Sequence, residues 1–288
     1  MLDSLLQPLD YGFMQRALLA ASLAGIACAV IGAFVVLKGM AFMGEAVAHS
    51  SLVGMAVAYL SGGNVFWGAL AWAVSASLGI TYISRRANLR LDTAIGIIIA
   101  GGFALGVVLV SQAVNYTADL FGFLFGNVLA ASWGEVALSG GAALAVVVVV
   151  FALYKELLFA AYDSDMAEAS GVPVRFVEYL LPALVAVTAV VALKTVGIML
   201  VLALLVTPPA TATLLARRLP AILALSVAVA LAAVIAGLYL SFYANLPTGP
   251  SIVLVATGFF LLAFFFAPVK GLAWRGMAGA SKTTGDPA

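Results

Sequence analysis

The chain has 288 residues, 65% of them hydrophobic and 9% charged, with a formal net charge of +1 and a mean hydropathy of +1.20. Ordinary soluble domains carry about 25% charged residues, so the composition excludes a separate soluble domain and places the chain in a membrane. Its basic residues cluster at the ends of apolar runs rather than on one face, so the charge gives no sign of nucleic-acid binding and no such partner is expected.

The apolar runs are about twenty residues long, the length of a helix that crosses a hydrocarbon core about 30 Å thick. They lack the alternation of barrel strands, so the predicted fold is an all-α polytopic membrane protein. The opening "MLDSLLQPLDYGFMQR" has neither a basic first segment nor a small-residue cleavage site, and the first span is expected to stay in the mature chain. That span, about Ala17 to Leu37, holds the single cysteine, Cys28, read as a buried and inert thiol.

The second span, about Met43 to Leu60, is the shortest and most polar. It carries "GEAVAHSS" from Gly44 to Ser51, with the only histidine, His49, four residues after Glu45. On a helix these two side chains share a face and can converge on one point. A carboxylate and an imidazole suit manganese, zinc or iron(II), whereas copper(I) prefers sulfur. Met40 and Met43 lie nearby and read as packing. With no other histidine, a four-ligand site needs carboxylates from elsewhere or the same pair from a second copy across a two-fold axis; the second copy is preferred. The pair also reads as a hydrogen-bonded lock between helices, or as a proton relay. Ionisable side chains inside a span are costly and usually line a path, which favours the ligand reading. Ala46, Ser50, Gly54 and Ala58 form a small-residue stripe on the same helix, suited to close helix approach.

A third span covers about Val65 to Ile83, and after "SRRANLRLD" a fourth runs from about Thr93 to Gln112. "FGFLFGNVLAAS" is too short to cross and reads as a re-entrant or surface helix. Ser132 and Glu135 then form a capping box at the start of the fifth span, about Trp133 to Tyr154. The longest polar stretch follows, "KELLFAAYDSDMAEASGVPVRFVEY". Within it a short helix is predicted, with Asp163 or Ser164 as N-cap, Gly171 as its stop and Pro173 beyond, either a docking element or an ordinary loop.

Leu180 to Ala216 holds two spans that turn near "LKTVG", where Lys194 is expected to snorkel to the interface. In "LLVTPPATATLLA", Pro208 and Pro209 remove two backbone donors, so this helix is predicted to bend or open, with Thr207, Thr211 and Thr213 available to the freed groups. The last spans, about Ala221 to Phe242 and Ile252 to Pro268, flank "NLPTGP", making about nine in all. Every basic residue except Arg16 and Lys194 then falls on one side, which the positive-inside rule makes cytoplasmic. The N-terminus is expected outside and the C-terminus inside, with 1–270 as one transmembrane domain and 271–288 as a disordered cytoplasmic tail. No G-x-x-x-x-G-K-[ST] loop, H-E-x-x-H motif or serine nucleophile elbow is present, so the chain reads as no enzyme and as unable to power ATP-driven transport alone.

Together, "GAFVVLKGMAFMGEAVAHSSLVGMA", "LDTAIGI", "DLFGFLFGNVLA", "KELLFAAYDSDMAEASGVPV", "VGIMLVLALLVTPPATA" and "GPSIVL" resemble the membrane permeases of ABC importers for manganese, zinc and iron. The resemblance covers nearly the whole chain and implies a type II ABC importer-like fold in a bacterial plasma membrane. It implies a homodimer among lipids, a cytoplasmic ABC ATPase, an extracellular or periplasmic metal-binding protein, and a transported Mn2+, Zn2+ or Fe2+ rather than a resident cofactor. By this resemblance His49 and Glu45 contact the metal, and the segment with Asp163, Asp165, Glu168, Gly171 and Pro173 is the coupling helix against the ATPase. The sequence departs from the family at Glu45, usually an aspartate, and at Pro209, generally an alanine. The alternative is a self-contained proton- or cation-coupled secondary transporter, whose repeated halves with paired discontinuous helices the sequence does not display.

Overall fold

The computed structural model describes residues 7–111 and 128–267, apart from the side chains of Leu9, Ser164 and Asp165. Short 3₁₀ turns occur at Gln7–Asp10 and Val128–Ala130. The helices are α1 (Gly12–Leu37), α2 (Met43–Leu60), α3 (Val65–Arg86), α4 (Leu91–Val110), α5 (Trp133–Ala152), α6 (Tyr154–Tyr162), α7 (Ser164–Ala169), α8 (Val174–Val196), α9 (Ile198–Leu215), α10 (Leu219–Ala244) and α11 (Thr248–Phe266). No strand occurs among the described residues.

Each of the nine predicted spans matches a helix of 18 to 26 residues, roughly 27 to 39 Å at 1.5 Å per residue. Eight of these are long and apolar enough to cross a membrane by composition. The exception is α2, whose Glu45, His49, Ser50 and Ser51 dilute its apolar character. Two limits differ from the sequence reading. α1 begins at Gly12, and the fifth span breaks at Leu153, releasing the nine-residue helix α6 from the stretch read as a polar loop. Most of "FGFLFGNVLAAS" and the tail 271–288 lie outside the described residues.

α1, α2 and α8 are the most enclosed of the long helices. α1 packs against α5, α8, α9 and α10, while α2 packs against α3, α4, α8 and α9. The outer helices turn Leu144, Phe151, Leu254 and Phe266 outward, at 66–70% exposure. In water such a surface would be an association hazard; in a bilayer it meets lipid chains of the same polarity. Lipid gives helices no hydrophobic reason to associate, so close van der Waals packing holds the bundle together.

Glycines make that packing possible. A β-carbon on Gly54 of α2 would overlap the Gly68 carbonyl and the Trp72 side chain of α3, and one on Gly68 would lie 2.5 Å from the Ala58 β-carbon. Gly102 of α4 sits against Ser50, and Gly106 against Leu52. The predicted stripe is therefore a two-sided contact, with Ser50 against α4 and Gly54 and Ala58 against α3.

Lys38 and Arg85, predicted on one side, and Lys194, predicted on the other, lie at opposite ends of the bundle. Lys38 and Arg85 line one cavity at one end of the bundle. At the other, the Lys194 ammonium lies 5.5 Å from the centre of the Phe66 ring, so the exposed lysine rests on an aromatic face.

Candidate metal centre

The turn from α1 into α2 uses Gly39 at φ +68°, a conformation that favours glycine. The residue before α2, Phe42, has no side-chain acceptor to cap the helix. The Met43 N–H is taken by the Met40 carbonyl at 2.9 Å, and Glu45 lies in the first turn, at the positive end of the helix dipole, which favours a carboxylate. His49 follows one turn later. Both residues are half-buried.

The Nδ1–H of His49 donates to the backbone carbonyl of Glu45 at 2.9 Å. A carbonyl only accepts, so Nδ1 carries the proton, and in the neutral ring the lone pair is then on Nε2, the arrangement usual in a metal-binding imidazole. Phe103 of α4 meets the ring edge-on, with centroids 5.6 Å apart. It shields one side of the imidazole and limits its rotation.

Apart from the pair, α2 is buried from Met43 to Ala56, and only its last turn, with Val57, Tyr59 and Leu60, is exposed. Ala46, Ser50, Gly54 and Ala58 are all buried, and Met40 and Met43 belong to the apolar core. The hydroxyls of Ser50 and Ser51 donate to the carbonyls of Val47 at 3.2 Å and Ala48 at 2.7 Å, so both are engaged by their own helix. Among the described residues no three His, Cys, Asp or Glu side chains gather at one place. Among the described residues of one copy, this pair could offer a metal ion two ligands, too few for a closed structural site.

α9 reaches this region through one residue that sequence reasoning missed. α9 stays helical through Pro208 and Pro209, both buried. Pro209 lacks the N–H that would bond to the Leu205 carbonyl. That carbonyl packs against Gly32 of α1, where a β-carbon would overlap it, and the Leu205 side chain packs against Gly44, immediately before Glu45. The threonines do not serve the freed carbonyls: Thr211 donates to Thr207 at 2.8 Å and Thr213 to Ala210 at 2.8 Å. Leu205 therefore joins the double-proline segment to the start of the site helix. Only a tertiary contact reveals this; no local signal marks Leu205, Gly32, Gly44 or Phe103.

The polar stretch folds as its capping signals indicate. The Asp163 carboxylate accepts the Met166 N–H at 2.9 Å at the start of α7. Gly171, at φ +81°, ends the turn, and Pro173 stands at the start of α8. Met166 is 64% exposed, and Glu168 is exposed as well. This element lies apart from the Glu45–His49 pair; among the principal helix contacts, α7 meets α6 and α8 and not α2.

Residues 10–267 match the ABC 3 transport family. The manganese transport system membrane protein MntC of Halalkalibacterium halodurans is 44% identical over 273 residues, 94% of either chain. The manganese import system permease protein ScaB of Streptococcus gordonii is 39% identical over 259 residues, 90% of this chain and 93% of that one. Among solved structures, PsaBC from Streptococcus pneumoniae in complex with Fab is similar at a TM-score of 0.84 and 36% identity, covering 97% of this chain and 100% of that one.

Proposed function

Because the chain belongs to the ABC 3 transport family, we propose that it is the manganese-conducting permease of an ATP-driven importer, working as a homodimer. It is a metal ABC permease, a membrane transport subunit rather than an ATPase. The observation that carries the finer reading is the half-buried Glu45–His49 pair, with Nε2 free and no third ligand among the described residues. Two such pairs, one from each copy, would face each other across the path and complete a four-ligand site.

Oxygen and nitrogen donors suit manganese, zinc and iron(II) alike; the manganese named for the relatives tips the reading to Mn2+. Ligation is incomplete in either copy alone, so the ion is released when the two pairs part. The Asp163–Pro173 segment, with Asp165 and Glu168, is the ATPase contact, and Thr207, Pro208 and Pro209 shape the helix behind the path. The metal arrives from an external metal-binding protein. The chain lies in a bacterial plasma membrane with its N-terminus outside and its C-terminus in the cytoplasm, the orientation that puts the basic span ends inside.

Reconstituted with its ATPase and binding protein, the permease is expected to move Mn2+ into liposomes only when ATP reaches the ATPase. Mn2+ uptake by the chain alone, driven by an imposed proton gradient without ATP, would contradict this reading and restore the secondary-transporter alternative.

A further inference from the structure

A cavity of about 230 Å³ lies where α1 gives way to α2, and it holds Lys38, Thr81, Ser84, Arg85, Glu178 and Pro182. Arg85, in the last turn of α3, forms an ion pair with Glu178, in the second turn of α8. The Oε2 of Glu178 is shielded from solvent. Both hydroxyls in the cavity are engaged by backbone: Thr81 donates to the Ser77 carbonyl at 3.1 Å and Ser84 to the Leu89 carbonyl at 2.9 Å. One carboxylate, paired with Arg85, and a second cation, Lys38, therefore line the same cavity.

Lys38 is half-buried and forms no ion pair among the described residues. Burial, followed by the nearby Arg85 charge, lowers its pKa, as expected for a cation without its own counter-charge. Its place in the chain matters as much as its charge. Lys38 opens the turn that leads to Met43 and the site helix, while Glu178 stands nine residues beyond the Ser164–Ala169 segment proposed to meet the ATPase. Pro182 lacks the N–H that would tie the Glu178 carbonyl into α8, which loosens the turn that carries the carboxylate.

We propose that Glu178 is a two-position latch between the ATPase-contact segment and the site helix: paired with Arg85 in this conformation, it passes to Lys38 as α8 moves and draws the start of α2 with it. One acid shared by two cations is a two-state element whose balance a small shift can tip. Glu178 and Lys38 are positioning residues; neither lies beside the Glu45–His49 pair. The proposal rests on the reading of the chain as an ATP-driven importer.

The test measures ATP hydrolysis and Mn2+ uptake together in the complete reconstituted complex. Lys38→Gln leaves the Arg85–Glu178 pair intact, so a purely structural ion pair would not register it. The expected result is hydrolysis within about twofold of the unsubstituted complex and a fall of about tenfold or more in Mn2+ moved per ATP, with Lys38→Arg restoring the ratio. Glu178→Gln is expected to uncouple in the same way; if it fails to assemble, Lys38→Gln decides alone. An unchanged ratio in Lys38→Gln, in a complex that transports, overturns the latch and leaves the importer reading standing. Absence of ATP-dependent uptake in the unsubstituted complex overturns the importer reading, and the latch with it.

Discussion

His49→Ala is expected to lower Mn2+ uptake by about a hundredfold or more while the permease still assembles in the membrane. The size follows from position. Losing an outer partner of a metal ligand typically costs about 10- to 100-fold in affinity or activity, and in the proposed site this substitution would remove the ligand itself, in both copies of the proposed homodimer. The effect on the fold is small by comparison. The ring makes one hydrogen bond, to a carbonyl of its own helix, and an edge contact with Phe103; one such bond contributes about 1 kcal/mol. Uptake into proteoliposomes and the elution volume of the purified complex check the two halves separately. Normal uptake by a well-assembled variant would remove His49 from the path.

Gly54→Val is expected to have the largest effect on stability, about 3 kcal/mol or more, because added core methyl groups already cost about 1–3 kcal/mol where side chains can give way. Here they cannot. A β-carbon on Gly54 meets the backbone of Gly68, and one on Gly68 meets the backbone of Gly54, so relief requires α2 and α3 to separate. Separation would also shift the helix that carries Glu45 and His49, so uptake falls with stability. Gly79, on the same α3, has nothing within 4 Å of its missing β-carbon. Gly79→Ala is therefore expected to stay within about 0.5 kcal/mol of the parent. Denaturation midpoints of both variants in one detergent check the contrast, and equal midpoints would contradict the crossing described here.

What the sequence made legible was local. Run length gave the nine long helices of the described residues, and the Ser132–Glu135 capping box is present at both of its bonds, 2.9 and 3.3 Å. The Asp163 cap and the Gly171 stop were readable for the same reason: each needs only residues within a turn or two. The i, i+4 spacing placed Glu45 and His49 on one face because helix geometry alone does so. The break at Leu153 was not legible, since neither glycine nor proline marks it. The role of the prolines was legible only in part. Counting lost donors identified freed carbonyls but not Gly32, which lets α1 close over one of them, and the threonines had already turned to other carbonyls. Arg85 and Glu178 were beyond reach for a related reason: they sit on different helices far apart in sequence, and nothing local to either names the other.

The most direct measurement of the central claim uses the fact that the chain has a single histidine. Mn2+ is paramagnetic, so pulsed electron paramagnetic resonance of the Mn2+-loaded dimer, with ¹⁵N in the histidine ring, reads how many imidazole nitrogens bind the ion. Two equivalent nitrogens, lost together in His49→Ala, are the expected result. A single nitrogen would contradict pairing across the two-fold axis, and no nitrogen coupling at all would contradict the site.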